Sequence, residues 1–372
     1  MTPSEHRFQS TTPRNTDLAV SPRHRAWVVL LLVAGMPTAL LVLFAGEQSH
    51  PWGEVGSLWT WGRIGAEFLL AAAVHEAGHL AAGSIAGMRW GLFAVGPVMV
   101  RRYGAKVRLG WNRLALWGGA SAVAAPPSGT VDEIVTGVRW AVAGGPAVSL
   151  IAGIVAWIAG YPVTPFTLAS LGMGLVTLAP IGAGTDGARL LRLARGGKSA
   201  RAEAALLVLA AELMVGGPPS SWDARLVAAT LDAPDPGQQG NARALAYYHA
   251  LDTGDAEAAG DHLRYLLEHS GGLSKLVRAT FLPLEAAYFE GAWRADVDAA
   301  RAWLERAGRV PPGARSLQLR AEAAVALAAG KVEEALQRVH EARAHLFADE
   351  SGMAVLENRL LDRLEVSARA AR

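Results

Sequence analysis

The stretch IGAEFLLAAAVHEAGHLAAGSIAG, residues 64–87, decides the fold. It is apolar over the length that crosses a bilayer core, about 20 residues at 1.5 Å each. Yet it carries His75, Glu76 and His79 within five positions. Residues four apart share one face of a helix. His75 and His79 therefore point the same way and can hold one zinc ion, with Glu76 beside the water in its open position. Hydrocarbon penalises ionisable groups that are neither paired nor functional. A polar patch buried between helices would also account for them. Three ionisable groups so close together are, however, hard to satisfy without a metal.

Outward from this stretch, the chain divides by composition. Residues 1–25 are polar and expected to be a disordered cytoplasmic N-terminus. Residues 26–198 are expected to form a membrane-embedded core of four spans: Ala26–Ala45, Ile64–Gly87, Val138–Ala159 and Phe166–Asp186. Pro180 is expected to break the last turns of the fourth. Residues 1–195 hold 15 Lys+Arg against 9 Asp+Glu, whereas residues 196–372 hold 20 against 24. The basic half is thus the apolar half, which suits contact with anionic lipid head groups. No basic stripe with interleaved aromatics occurs, which argues against a nucleic-acid partner. The chain has no cysteine, so disulfides and thiolate zinc sites are excluded.

Basic residues also set an orientation. Arg23 and Arg25 precede the first span, and Arg89, Arg101, Arg102, Lys106, Arg108 and Arg113 follow the second. Arg189, Arg192, Arg195 and Lys198 follow the fourth, while the intervening loops carry only Arg63. The expectation is a multi-pass cell-membrane protein with both termini in the cytoplasm. Trp27, Trp61, Trp90 and Trp140 fall near span ends, as an interfacial aromatic belt requires. Between spans two and three, Leu92–Val100 and Lys106–Leu109 read as short strands, a hairpin dipping to the inner membrane face. A plain amphipathic surface loop is the other reading.

Residues 199–372 are rich in Ala, Leu, Glu and Arg with helical periodicity. Gly254, Gly291 and Gly330 each follow an alanine-rich helical segment and precede another. Three helix–turn–helix units are expected, a weak repeat that resembles a tetratricopeptide-like array. An ordinary helical bundle is the alternative. The fold class is therefore mainly α: a polytopic helical membrane core with a short β-hairpin segment, plus a cytoplasmic α-helical domain that offers a surface for a cytosolic protein partner.

A hydrolytic zinc site wants three protein ligands and one open position. The acids and histidines available in and between the spans are Glu47, His50, Glu54, Glu67, Asp132, Glu133 and Asp186. Glu47, His50 and Glu54 belong to the opposite face. Glu67 is two turns before His75, too far to share the ion. Asp132 and Glu133 follow Pro126-Pro127-Ser128-Gly129 in a loop, where solvated acids need no explanation. Asp186 lies in Ala179-Pro180-Ile-Gly-Ala-Gly-Thr-Asp186-Gly187, where proline breaks the helix and glycines let backbone approach closely. It is either the inward-turned third ligand or an ordinary helix-terminal acid.

These pieces together resemble the site-2 protease family of intramembrane zinc metalloproteases. The matching elements are His75-Glu76-x-x-His79 in a span, Gly144-Gly145-Pro146 opening a later one, Phe93–Pro97, and Pro180 with Asp186-Gly187. The resemblance covers about residues 60–195. It implies that His75, His79 and Asp186 bind one zinc ion and that Glu76 is the general base. The implied activity is hydrolysis of peptide bonds in membrane-anchored protein substrates. Thr177 and Ser149 stand where that family usually has asparagines. A substrate helix must unwind to expose a carbonyl, and the strands near Val95–Val100 are expected to hold it as an added strand. The competing expectation is a non-proteolytic membrane scaffold that binds partners through its helical repeats.

Overall fold

The computed structural model describes residues 58–104, 106–111, 118–126, 129–346 and 351–372. Residues 1–25, the expected first span Ala26–Ala45, and Glu47, His50 and Glu54 lie outside them. The described chain is mainly helical, with one four-stranded antiparallel sheet.

Helix α1 (Leu58–Ile85) contains the opening stretch, and α2 (Val131–Ile158) packs along it. Asp132 and Glu133, expected in a loop, belong instead to the first turn of α2. There Thr130 Oγ1 accepts from Glu133 N at 3.3 Å, and Glu133 Oε2 accepts from Thr130 N at 2.7 Å. This capping box satisfies two otherwise orphaned donors. α1 and α2 touch backbone to backbone: a Cβ on Gly78 or on Gly144 would strike the carbonyl of the other. Both helices are long and apolar enough to cross a membrane, and only 44% and 39% of their most apolar windows are buried. A soluble protein's core helix would be covered, whereas Trp61, Phe68, Trp140, Ile151, Ile154 and Val155 stay exposed.

The expected fourth span, Phe166–Asp186, is corrected. α3 (Pro165–Leu178) has 14 residues, about 21 Å of helix, which falls short of a hydrocarbon core of about 30 Å. Pro180 lacks an amide hydrogen, and Gly182 and Gly184 favour departure from the helix. A new helix, α4 (Asp186–Ala194), then starts, capped by Thr185 Oγ1, which accepts from Ala188 N at 3.4 Å. Asp186 opens a helix rather than closing a span.

The expected hairpin is larger than its sequence suggested. Strands β1 (Arg89–Val95), β2 (Val98–Tyr103), β3 (Lys106–Trp111) and β4 (Gly119–Ala124) form a sheet in the order β3-β2-β1-β4. Gly96 turns β1 into β2 at φ +52. Leu92, Ala94 and Ala122 pack on Ala211 and Val215 of α5 (Gly197–Val215). α5 also shares a buried cluster with Val135, Val138 and Val142 of α2 and with Leu226, Leu245 and Ala246 further on. Residue 198 therefore coincides with no gap in the packing.

After α6 (Ala224–Leu231) come three helical hairpins. They pair α7 (Pro236–Thr253) with α8 (Ala256–Glu268), α9 (Leu282–Trp293) with α10 (Val297–Arg306), and α11 (Arg315–Ala328) with α12 (Val332–Ala344). α13 (Gly352–Ala370) closes the array. Gly254 and Gly330 make their turns with φ of +84 and +73. The middle turn is made by Ala295, at φ +52, and not by Gly291. Gly291 lies inside α9, where a Cβ would press on the backbone of Ala324 in α11.

The array is stitched through Arg320, which is fully buried. Its guanidinium lies 2.8 Å from Glu285 of α9 and 3.3 Å from Glu357 of α13, over the Tyr288 ring at 4.2 Å. Tyr247 of α7 donates to Glu285 at 3.0 Å. One cation thus faces two carboxylates. Burial pushes the Glu357 carboxyl up to about 7, with Arg320 opposing and Glu285 reinforcing the shift.

That elevation fixes a pH dependence. The folded array binds this proton more tightly than the unfolded chain, whose carboxyl titrates near 4.5. The linked stabilisation is complete below that value and is lost as pH rises through about 7. Between pH 6 and 8 the array should lose about 1 kcal/mol from this group alone. Thermal melts of the full chain at both pH values check it, because Glu357→Gln should flatten the dependence; equal slopes for variant and parent would refute the assignment.

Candidate metal centre

Three ligand atoms converge beside the C-terminal half of α1. His75 Nε2 and His79 Nε2 are 3.2 Å apart. Asp186 Oδ2 lies 3.4 Å from the first and 3.6 Å from the second. All three residues are buried or nearly so. Among the described residues, they are the group of three His, Asp or Glu side chains whose ligand atoms cluster closely enough to hold a metal ion. A tetrahedral zinc with bonds of 2.0–2.1 Å sets neighbouring ligand atoms about 3.3 Å apart. The observed triangle fits that spacing.

The far side of the His79 imidazole fixes its tautomer. His79 Nδ1 faces the Ala141 carbonyl at 2.8 Å. A carbonyl only accepts, so Nδ1 carries the hydrogen and a neutral His79 has a bare Nε2. His75 Nδ1 lies 3.0 Å from Ser149 Oγ, which is fully buried; with Nδ1–H donating to that hydroxyl, its Nε2 is bare as well. Two lone pairs and a carboxylate then meet with no donor between them. That is repulsive unless a cation sits among them, and such outer hydrogen bonds are the usual support of metal-bound histidine.

Glycines allow this approach. A Cβ on Gly145 would overlap the His79 imidazole at Nε2. Glu76, next to His75 on α1, lies against β4. Its Oε2 accepts from Ser121 Oγ at 2.6 Å, and a Cβ on Gly119 would collide with its carboxylate. One carboxylate oxygen is thereby held while Oε1 is left for other partners.

The remaining sequence candidates are placed elsewhere. Glu67 is buried and accepts from the Phe166 amide at 2.9 Å, so it caps α3. Asp132 pairs with Arg201 on the surface. Ser149, Ser121 and Gly145 were not singled out as supports of the centre. Gly144-Gly145-Pro146, expected to open a span, lies instead in the middle of α2; Ser149 and Gly145 sit there, where a serine or glycine in an apolar helix carries little signal of its own. Thr177 has a buried Oγ1 without a hydrogen-bond partner.

Ser149→Ala should weaken zinc binding about tenfold by freeing the His75 ring. Gly145→Ala should abolish stoichiometric binding by displacing His79. Chelator-competition titrations of the purified protein would decide it, and parental affinity in both variants would mean that the imidazoles do not hold the ion. No family model, curated protein or solved structure matches this chain.

Proposed function

We propose that this protein is an intramembrane zinc endopeptidase of the site-2 protease type, acting on membrane-anchored protein substrates. The observation that carries the reading is the zinc-spaced triangle of His75, His79 and Asp186 with Glu76 held beside it. Its setting supports a membrane location, because α1 and α2 keep apolar side chains exposed along their length. The count of basic residues favours a cytoplasmic face for residues 89–113, the segment that follows α1.

Bound zinc would supply a water of lowered pKa and a polarised scissile carbonyl. His75, His79 and Asp186 orient that ion. Glu76 takes the proton of the attacking water on one carboxylate oxygen and passes it to the leaving nitrogen. Ser121 holds the other oxygen, so the transferring oxygen keeps a fixed direction. Val98 and Val100 cannot receive an added strand, because β2 is already paired with β1 and β3. Among the described residues, the outer edge of β4 has no strand partner, and β4 carries Ser121. That edge is the place where an unwound substrate would run past Glu76.

Glu76→Gln should keep zinc bound and lower cleavage by at least about a hundredfold, the usual worth of a general base. Cells carrying it should accumulate single-span membrane fragments relative to wild type. If zinc remains bound and the two membrane proteomes are identical, the protease reading fails and a scaffold built on the helical array takes its place.

A further inference from the structure

We propose that Arg192 and Glu203 are positioning residues that clamp the Asp186 ligand and tie it to the first hairpin of the helical array. The proposal rests on the metal-centre reading above. Arg192 sits on α4, the helix that Asp186 opens. Its Nε donates to Glu203 Oε2 at 2.6 Å and its Nη2 to Glu203 Oε1 at 3.1 Å, a two-pronged pair with α5. The same Nη2 donates to the Ala183 carbonyl at 2.6 Å. One guanidinium therefore grips α5 and the connection three residues ahead of the ligand. That connection, Pro180–Thr185, contains Gly182 and Gly184, and its own bonds are local: Ile181 N donates to Ala179 O at 2.8 Å, and Thr185 N and Oγ1 donate to Gly182 O at 3.1 Å.

Glu203 is 3% exposed, which is unusual for a carboxylate on a helix of this kind. It also receives Gln238 Nε2 from α7, and Arg189 of α4 approaches it at 4.0 Å. α4 is held again at its far end, where Arg139 of α2 donates to the Leu193 carbonyl at 2.9 Å. Three elements, α2, α5 and α7, thus bear on where Asp186 stands. Two of the contacts come from α5 and α7, which join the membrane core to the array. Movement of α7 would reach the ligand through Gln238, Glu203, Arg192 and the Ala183 carbonyl, a continuous chain of hydrogen bonds. An arginine is required at this point: lysine has a single ammonium and cannot hold a carboxylate with two prongs while gripping a carbonyl.

The test is a metal titration of the purified full-length protein with zinc and, in parallel, with cobalt(II), whose visible absorption reports coordination geometry. Arg192→Lys and Glu203→Gln should weaken binding 10- to 100-fold and reduce the cobalt bands of a tetrahedral site. Gln238→Met, which leaves the buried pair intact, should weaken binding by a smaller factor and is the variant least exposed to misfolding. Far-UV circular dichroism identifies any variant that has lost its helices, and Gln238→Met then decides. If the parent binds one ion and Asp186→Asn weakens it, but Arg192→Lys, Glu203→Gln and Gln238→Met titrate as the parent does, the clamp is refuted and the metal centre stands. If the parent itself binds no ion, the metal-centre reading falls and the clamp with it.

Discussion

The structure depends on the close approach of α1 and α2 at Gly78 and Gly144. On the proposed membrane reading, lipid supplies no hydrophobic drive between helices, so association relies on packing, and small residues allow backbones to meet. Here the contact also performs a second task. It brings the Ala141 carbonyl and the Ser149 hydroxyl of α2 against the outer nitrogens of His79 and His75. Any side chain larger than hydrogen at position 144 would push α2 away and release both rings. Helix packing and ligand orientation are thus one constraint, set by the same few atoms.

The third ligand needs a different device. α1 supplies two ligands from a continuous helix, but a third on an unbroken neighbour would have to reach sideways across the interface. The chain instead ends α3, passes Pro180, and restarts at Asp186, so the carboxylate projects from the first turn of a helix. Gly187 completes this arrangement. A Cβ there would overlap the Leu178 carbonyl at the end of α3, so the start of α4 lies directly against the end of α3. On the proposed reading the Asp-Gly pair has a physical reason at each position: the first residue binds the ion, and the second admits the preceding helix end.

Much of the centre was legible because its residues are costly where they stand. His75, Glu76 and His79 in an apolar run have few innocent explanations, and Asp186 followed a proline and two glycines. The supports were harder to see, since a hydroxyl at Ser121 or Ser149 is cheap anywhere. The sheet was underestimated for a related reason: Gly119–Ala124 is built of small residues and lacks the β-branched pattern that marks a strand, Val123 apart. Gly291 misled in the opposite direction. A glycine after an alanine-rich segment reads as a turn, but here it serves contact with Ala324, and the left-handed turn falls on Ala295. Tertiary packing decided what local composition could not.

On the proposed reading, charge balance accounts for this ligand set. Two neutral imidazoles and one carboxylate would leave a divalent ion with a net single positive charge. An uncompensated charge in a low-dielectric setting is expensive. Glu76, ionised, cancels it, so the general base is also the counter-charge of the metal group. A second acid ligand would cancel the charge without Glu76 and leave its carboxylate in excess. A third histidine would leave two positive charges against one. Among sets of three protein ligands that include both histidines, one further carboxylate is the choice that keeps the group neutral with the base unprotonated. Asp186 meets that requirement, and Ser121 solvates Glu76 without adding a charge of its own.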